Sequence, residues 1–229
     1  MKYMDPAILG RFLRTVQNGS RLLGLDVGEK YVGLAISDPL NKVASPLSVL
    51  VRKKSNLDLV AMDFQKLVSE LSVAGFVVGL PLDRYQKSRD GNEMHLFVDD
   101  LSRTGKLNNS LPYTYWNECF SSKVIDLLIE PLKLHPVEAK TMHDKFAAVT
   151  ILQGYLDYMN KRLKSEAAEA NPSDNVSCSS IQLLQKKQTC HCSSTSISLV
   201  DFAYMVMTSF WSLQGSLFIF VWAMGFQYS

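Results

Sequence analysis

Two short apolar runs, 21–26 and 31–37, stand on either side of Val27-Gly28-Glu29-Lys30, and this pairing limits the chain to few folds. Each run is too short for an ordinary helix and the glycine supplies a turn, so the two are expected to close as a β-hairpin. The first run ends in a carboxylate, Asp26. A charge at the end of a buried strand is costly unless something compensates it. Two readings are open: Asp26 is a turn former that bonds locally to the backbone, or it holds a cation with ligands from elsewhere in the chain.

The rest of the pattern extends the hairpin into a sheet. A third strand is expected at 47–51, after the breaker Ser45-Pro46. Leu57, Val60, Phe64, Leu67, Val68 and Leu71 recur at helical spacing, so 57–73 reads as an amphipathic helix. Phe76-Val77-Val78-Gly79-Leu80 is a continuous apolar run of the kind found in a strand buried on both faces. Residues 81–92 read as a loop, 93–104 as a helix, and Tyr113-Thr114-Tyr115-Trp116 as a strand. Further helices are expected at 121–128 and 142–163. The order predicts an α/β fold with a mixed five-stranded sheet flanked by helices, three strands in a meander and two added by right-handed crossovers.

In such sheets, sites gather at the carboxyl ends of adjacent parallel strands. That rule selects Asp26, Glu118 after the fifth strand, and the Gly79-Leu80-Pro81 turn. Asp144 is the third acid: Ala148, Ile151, Leu152 and Tyr155 follow it at four, seven, eight and eleven residues, which puts it on an inward helical stripe. Each acid also has a structural reading. Glu118 stands before a helix start, where the dipole favours an acid. Thr141 and Asp144 match a capping box, and His143 reads as a helix-start residue with no chemistry.

A content of 47% apolar and 20% charged residues is that of a globular chain, and a net charge of +2 over 229 residues does not by itself announce a nucleic-acid partner. The four cysteines lack paired zinc spacing, and the first twenty residues lack the apolar core of a signal peptide, so a cytoplasmic location is expected. Residues 1–20 are expected as an N-terminal extension, 21–163 as the folded domain and 164–201 as a serine-rich, disordered linker. Residues 202–226 carry no charge and are long enough to cross a bilayer. They read as a membrane anchor, a docked helix or a non-native extension, and a membrane is a partner only under the first of these.

Together the stretches "GLDVGEKYVGLAISD", "ASPLSVL", "VVGLPL", "WNECFSS" and "HDKFAAVTILQGYLD" resemble, in order, the blocks of the YqgF-type family. Its members are known as Holliday junction resolvase-like proteins and as nucleases that finish the 5′ end of pre-16S ribosomal RNA. The resemblance covers about residues 20–160 and implies a ribonuclease H-like fold. It also implies an acidic catalytic and metal site at Asp26, Glu118 and Asp144. Phosphodiester hydrolysis suits such a cluster, because two Mg²⁺ or Mn²⁺ ions about 4 Å apart serve the attacking and the leaving oxygen, and hard divalent ions take carboxylate oxygens. Lys30, Arg52, Lys53, Lys54, Lys123 and Lys145 are the expected phosphate contacts. The implied partner is precursor ribosomal RNA, alone or in a ribosomal precursor particle, with branched DNA as the alternative. Two departures stand out: Cys119 replaces the family's arginine after the glutamate, and Tyr31 replaces a commonly basic residue. They leave a catalytically weakened, nucleic-acid-binding assembly protein as a further alternative.

Overall fold

The two opening runs pair as an antiparallel hairpin, β2 (Arg21–Val27) with β3 (Tyr31–Ser37), closed by a hydrogen bond from Gly28 N to Tyr31 O of 2.9 Å. The structure is a computed structural model, and it describes residues 1–16, 19–52, 56–80, 89–117, 125–126 and 129–169. The chain divides into two units, Met1–Asn175 and Val176–Ser229. The second, with Cys190-His191-Cys192 and the apolar stretch 202–226, lies outside the described residues. Among the described residues no helix is long and apolar enough to cross a membrane.

Before the hairpin come β1 (Lys2–Tyr3) and α1 (Pro6–Thr15). After it come β4 (Ala44–Val51), α2 (Leu57–Glu70), β5 (Val73–Leu80), α3 (Arg89–Arg103), β6 (Pro112–Asn117) and α4 (Pro136–Glu169). The sheet order is β1-β6-β5-β2-β3-β4, with β2, β3 and β4 an antiparallel meander and β5, β6 and β1 added in parallel beyond β2. The five expected strands are all present, and Lys2–Tyr3 adds a sixth at the edge. Lys2 N donates to Leu111 O at 2.9 Å and Met4 N to Tyr113 O at 2.8 Å.

Residues 1–16 of the expected N-terminal extension 1–20 are therefore built into the domain. Asp5 caps α1 by accepting from Ala7 N, Leu9 is fully buried, and the Tyr155 hydroxyl donates to Pro6 O at 2.9 Å. A two-residue strand has no periodicity to read, which is why the sequence pattern missed it.

The second correction concerns α4, expected over 142–163. It begins at Pro136, a residue well suited to a first helical turn. Thr141 consequently sits inside the helix, its hydroxyl donating to Val137 O at 2.9 Å. Neither the capping box nor a helix-start role for His143 survives. At the other end α4 runs on to Glu169, so residues 164–169, expected as linker, are helical. Glu166 pairs with Arg11 of α1 at 2.8 Å and with Arg162 at 3.3 Å.

Small residues set how closely α4 lies on the sheet. Leu23, Leu25, Val32, Leu34, Ile36, Phe76 and Val78 point to one face and pack with Val60, Phe64, Phe97 and Leu101 of α2 and α3. The opposite face of β2 and β3 presents Gly24, Gly33 and Ala35 to α4. A Cβ on Gly24 would lie 2.7 Å from Leu152 Cβ, and one on Gly33 would land on the backbone carbonyl of Asp144.

A polar latch fixes the same helix along its axis. Gln153 Oε1 accepts from the buried Ala44 N at 2.8 Å, and Gln153 Nε2 donates to Lys42 O at 3.0 Å and Asp157 Oδ1 at 2.8 Å. Asn160 Nδ2 donates to Asn41 O at 2.9 Å. The turn they grip is itself held: Asp38 Oδ1 accepts from Lys42 N at 2.6 Å and Val43 N at 2.8 Å. Asn41, at a left-handed φ of 52°, donates to Ser20 O and accepts from the Ser37 hydroxyl.

Candidate active site

Asp26 sits one residue before the end of β2, directly opposite Gly33 in the ladder. Residues opposite one another in an antiparallel pair share a face, so Asp26 points to the side on which Asp144 rests on Gly33. The missing Cβ of Gly33 is what lets the Asp144 backbone come down there. The two carboxylates line one shallow pocket of about 200 Å³, together with Glu29, Lys30 and Tyr31 of the hairpin turn and Lys140 of α4. Asp26 is thus a strand residue outside the Gly28–Tyr31 turn, and Asp144 lies eight residues into a helix.

The strand register brings the third element to the same edge. Leu25 aligns with Val78, Val78 with Tyr115, and Leu80 with Asn117. The carboxyl ends of β2, β5 and β6 therefore face the same side. Glu118 follows Asn117 directly in the chain but lies outside the described residues, as do Lys53, Lys54, Lys123, Cys119 and residues 81–88, expected as a loop. Among the described residues no group of three His, Cys, Asp or Glu side chains is arranged to hold a metal ion.

Partial burial raises the pKa of Asp144 above the ordinary aspartate value, and the nearby His143 and Lys140 pull it the other way. Desolvation outweighs both, so the charged form stands in an environment that favours an added positive charge. His143 bridges two acids, with Nδ1 3.9 Å from Asp144 Oδ1 and Nε2 3.6 Å from Asp126 Oδ1. Asp126, Glu130, Lys140, His143 and Asp144 line a second, wider pocket of about 640 Å³, so Lys140 and Asp144 border both.

The expected phosphate contacts divide. Lys30 is exposed on the rim of the carboxylate pocket, and Lys145 follows Asp144 on α4. Arg52 is engaged internally: Nη1 donates to Gly28 O at 3.1 Å, its guanidinium lies 4.9 Å from the centre of the Phe97 ring, and its backbone N donates to Lys30 O at 2.8 Å. It braces the hairpin turn against α3. Lys140 and Gly33 were not selected from sequence. Lys140 lies four residues before Asp144 and so shares its helical face, a signal visible only once α4 is known to start at 136.

A central parallel core extended by an antiparallel meander, with a long helix crossing the sheet, is a ribonuclease H-like arrangement. The chain belongs to the RuvX family, described as Holliday junction resolvase, which matches residues 20–158. It is similar to a Lactobacillus gasseri protein named "Putative pre-16S rRNA nuclease", at 38% identity over 145 residues, 62% of this chain and 98% of the relative. A protein of the same name from Lachnospira eligens is 33% identical over 144 residues, covering 62% of this chain and 99% of its own length. Among solved structures, Thermus thermophilus RuvC in complex with a Holliday junction substrate matches with a TM-score of 0.41 and 12% identity, over 62% of this chain and 96% of that one.

Proposed function

We propose that this chain is a divalent-metal-dependent nuclease that trims the 5′ end of precursor small-subunit ribosomal RNA. The observation that carries the reading is the meeting of Asp26 and Asp144 in one pocket, across the glycine that lets α4 approach the sheet there. The names of the relatives support precursor ribosomal RNA as the substrate.

The donor set fits Mg²⁺ or Mn²⁺. Two carboxylates from different elements, one of them raised in pKa by desolvation, offer the hard oxygens such ions take while leaving room for water. Asp26, Asp144 and Glu118 are the residues proposed to hold the metal. Ions bound there would activate water and stabilise charge on the leaving oxygen of the phosphodiester. The chain's own contribution is positional: β2 and α4 fix two carboxylates relative to each other, and Lys30 supplies positive charge on the rim.

A cleavage assay tests this. The full chain is incubated with a precursor ribosomal RNA fragment and with a four-way DNA junction, each with Mg²⁺, Mn²⁺ or a chelator. Metal-dependent cutting of the RNA, abolished by Asp26→Asn, is the expected result. Cutting of the junction alone would make the protein a DNA resolvase, and binding without cutting of either would make it an assembly factor.

A further inference from the structure

Two carboxylates repel the backbone of any nucleic acid that approaches them. A metal relieves this at the carboxylates themselves, but the phosphates flanking the cut need cations of their own. From the helix side, the pocket wall is formed by Lys140, and its ammonium stands 5.0 Å from the centre of the Tyr31 ring. Tyr31 opens β3 on the pocket rim, 36% exposed. Among the described residues this ammonium makes no ion pair with a carboxylate, although Asp26, Glu29 and Asp144 all line the same pocket.

That pairing differs from a salt bridge in consequence. A carboxylate partner would neutralise the lysine, whereas an aromatic face attracts the cation through its quadrupole and leaves its charge intact. The ring also restricts a long stem that would otherwise lose much rotamer freedom when it met a ligand. Lys140 is therefore positioned, exposed, beside the acids: it acts electrostatically on Asp144 without a direct ion pair and stands where an anion from outside can reach it.

We infer that Lys140, positioned by Tyr31, takes a backbone phosphate of the substrate strand beside the Asp26–Asp144 pocket. Lys140 is the contact and Tyr31 is a positioning residue. The inference rests on the nuclease reading of the pocket and deepens it by naming a residue that holds the strand.

The test is binding without cleavage. Affinity of the full chain for a fluorescent precursor ribosomal RNA stem is measured in chelator across a salt series, for wild type, Lys140→Ala, Lys140→Arg, Tyr31→Leu and the double variant. Lys140→Ala is expected to weaken binding about fivefold and to lower the slope of log affinity against log salt by about 0.7–0.9, the value for one phosphate contact. Lys140→Arg is expected to keep the slope. Tyr31→Leu is expected to weaken binding about two- to threefold, with no further effect once Lys140 is gone, since the two act as one unit. An unchanged slope in Lys140→Ala, or independent, additive losses, would overturn the inference. If wild type cleaves with Mn²⁺ while Lys140→Ala binds as wild type does, only the inference fails. If wild type neither cleaves nor binds, both the inference and the nuclease reading fail.

Discussion

Asp144 carries a charge that the fold disfavours, and this has a measurable pH signature. Burial raises its pKa in the folded chain above the ordinary value of 3.8, so the native state binds a proton more readily than the unfolded state does. The destabilisation is absent well below pH 4, grows as pH rises through the unfolded and then the folded pKa, and is fully present at neutral pH. Asp144→Asn is therefore expected to raise Tm at pH 7 and to lose that gain as the pH falls toward 3.5. If Asp144 is a metal ligand as proposed, the same variant should also abolish any Mn²⁺-induced rise in Tm, because an ion bound there would lose a ligand. Gly33 is the other decisive residue. Gly33→Ala places a methyl on the Asp144 carbonyl, and the resulting overpacking is expected to destabilise the domain by about 1–3 kcal/mol, read by denaturant unfolding. A substitution at an exposed turn residue such as Glu29 carries no such clash.

At the scale of elements, the latch between α4 and the β3–β4 turn holds the helix in register. Gln153→Ala leaves the backbone N–H of buried Ala44 without its acceptor, an expected loss of about 1–3 kcal/mol in chemical denaturation. Asn41→Ala removes the bonds to Ser20 and Ser37 and forces a β-carbon residue without a bonding side chain into a left-handed φ, so a comparable loss is expected. How legible each element was follows from its length and period. The β2–β3 hairpin, α2 and β5 declare themselves through alternation, helical spacing and a continuous apolar run. β1 has two residues and no pattern, and β4 starts three residues early because Pro46 is tolerated where the register slips against Leu34 and Ala35. The start of α4 was obscured by Thr141 and Asp144, whose spacing imitates a cap that the helix does not use.

For the whole molecule, the ties between α1 and α4, including Arg11 with Glu166 and Gly10 against Met159, suggest that the domain needs residues 1–169. A chain ending after Glu169 is expected to unfold in a single cooperative transition with a Tm close to that of the full chain, checked by calorimetry. Removal of residues 1–16 should lower that Tm markedly, because Leu9 and the Pro6–Tyr155 bond leave with them. Asp26 and Asp144 were legible as candidates because a strand end and an inward helical stripe are both visible in sequence. Their meeting was not, since it depends on the absence of a side chain at Gly33, and Lys140 stayed hidden behind a helix boundary. Asp144 and Gln153 are nine residues apart on one rod, about 14 Å along its axis. That spacing works as a ruler cut to a single length: one residue added within it turns one end by about 100° relative to the other. The carboxylate then leaves the pocket, or the amide leaves the turn. Insertions should be tolerated in the connections around the sheet, but not within those nine positions.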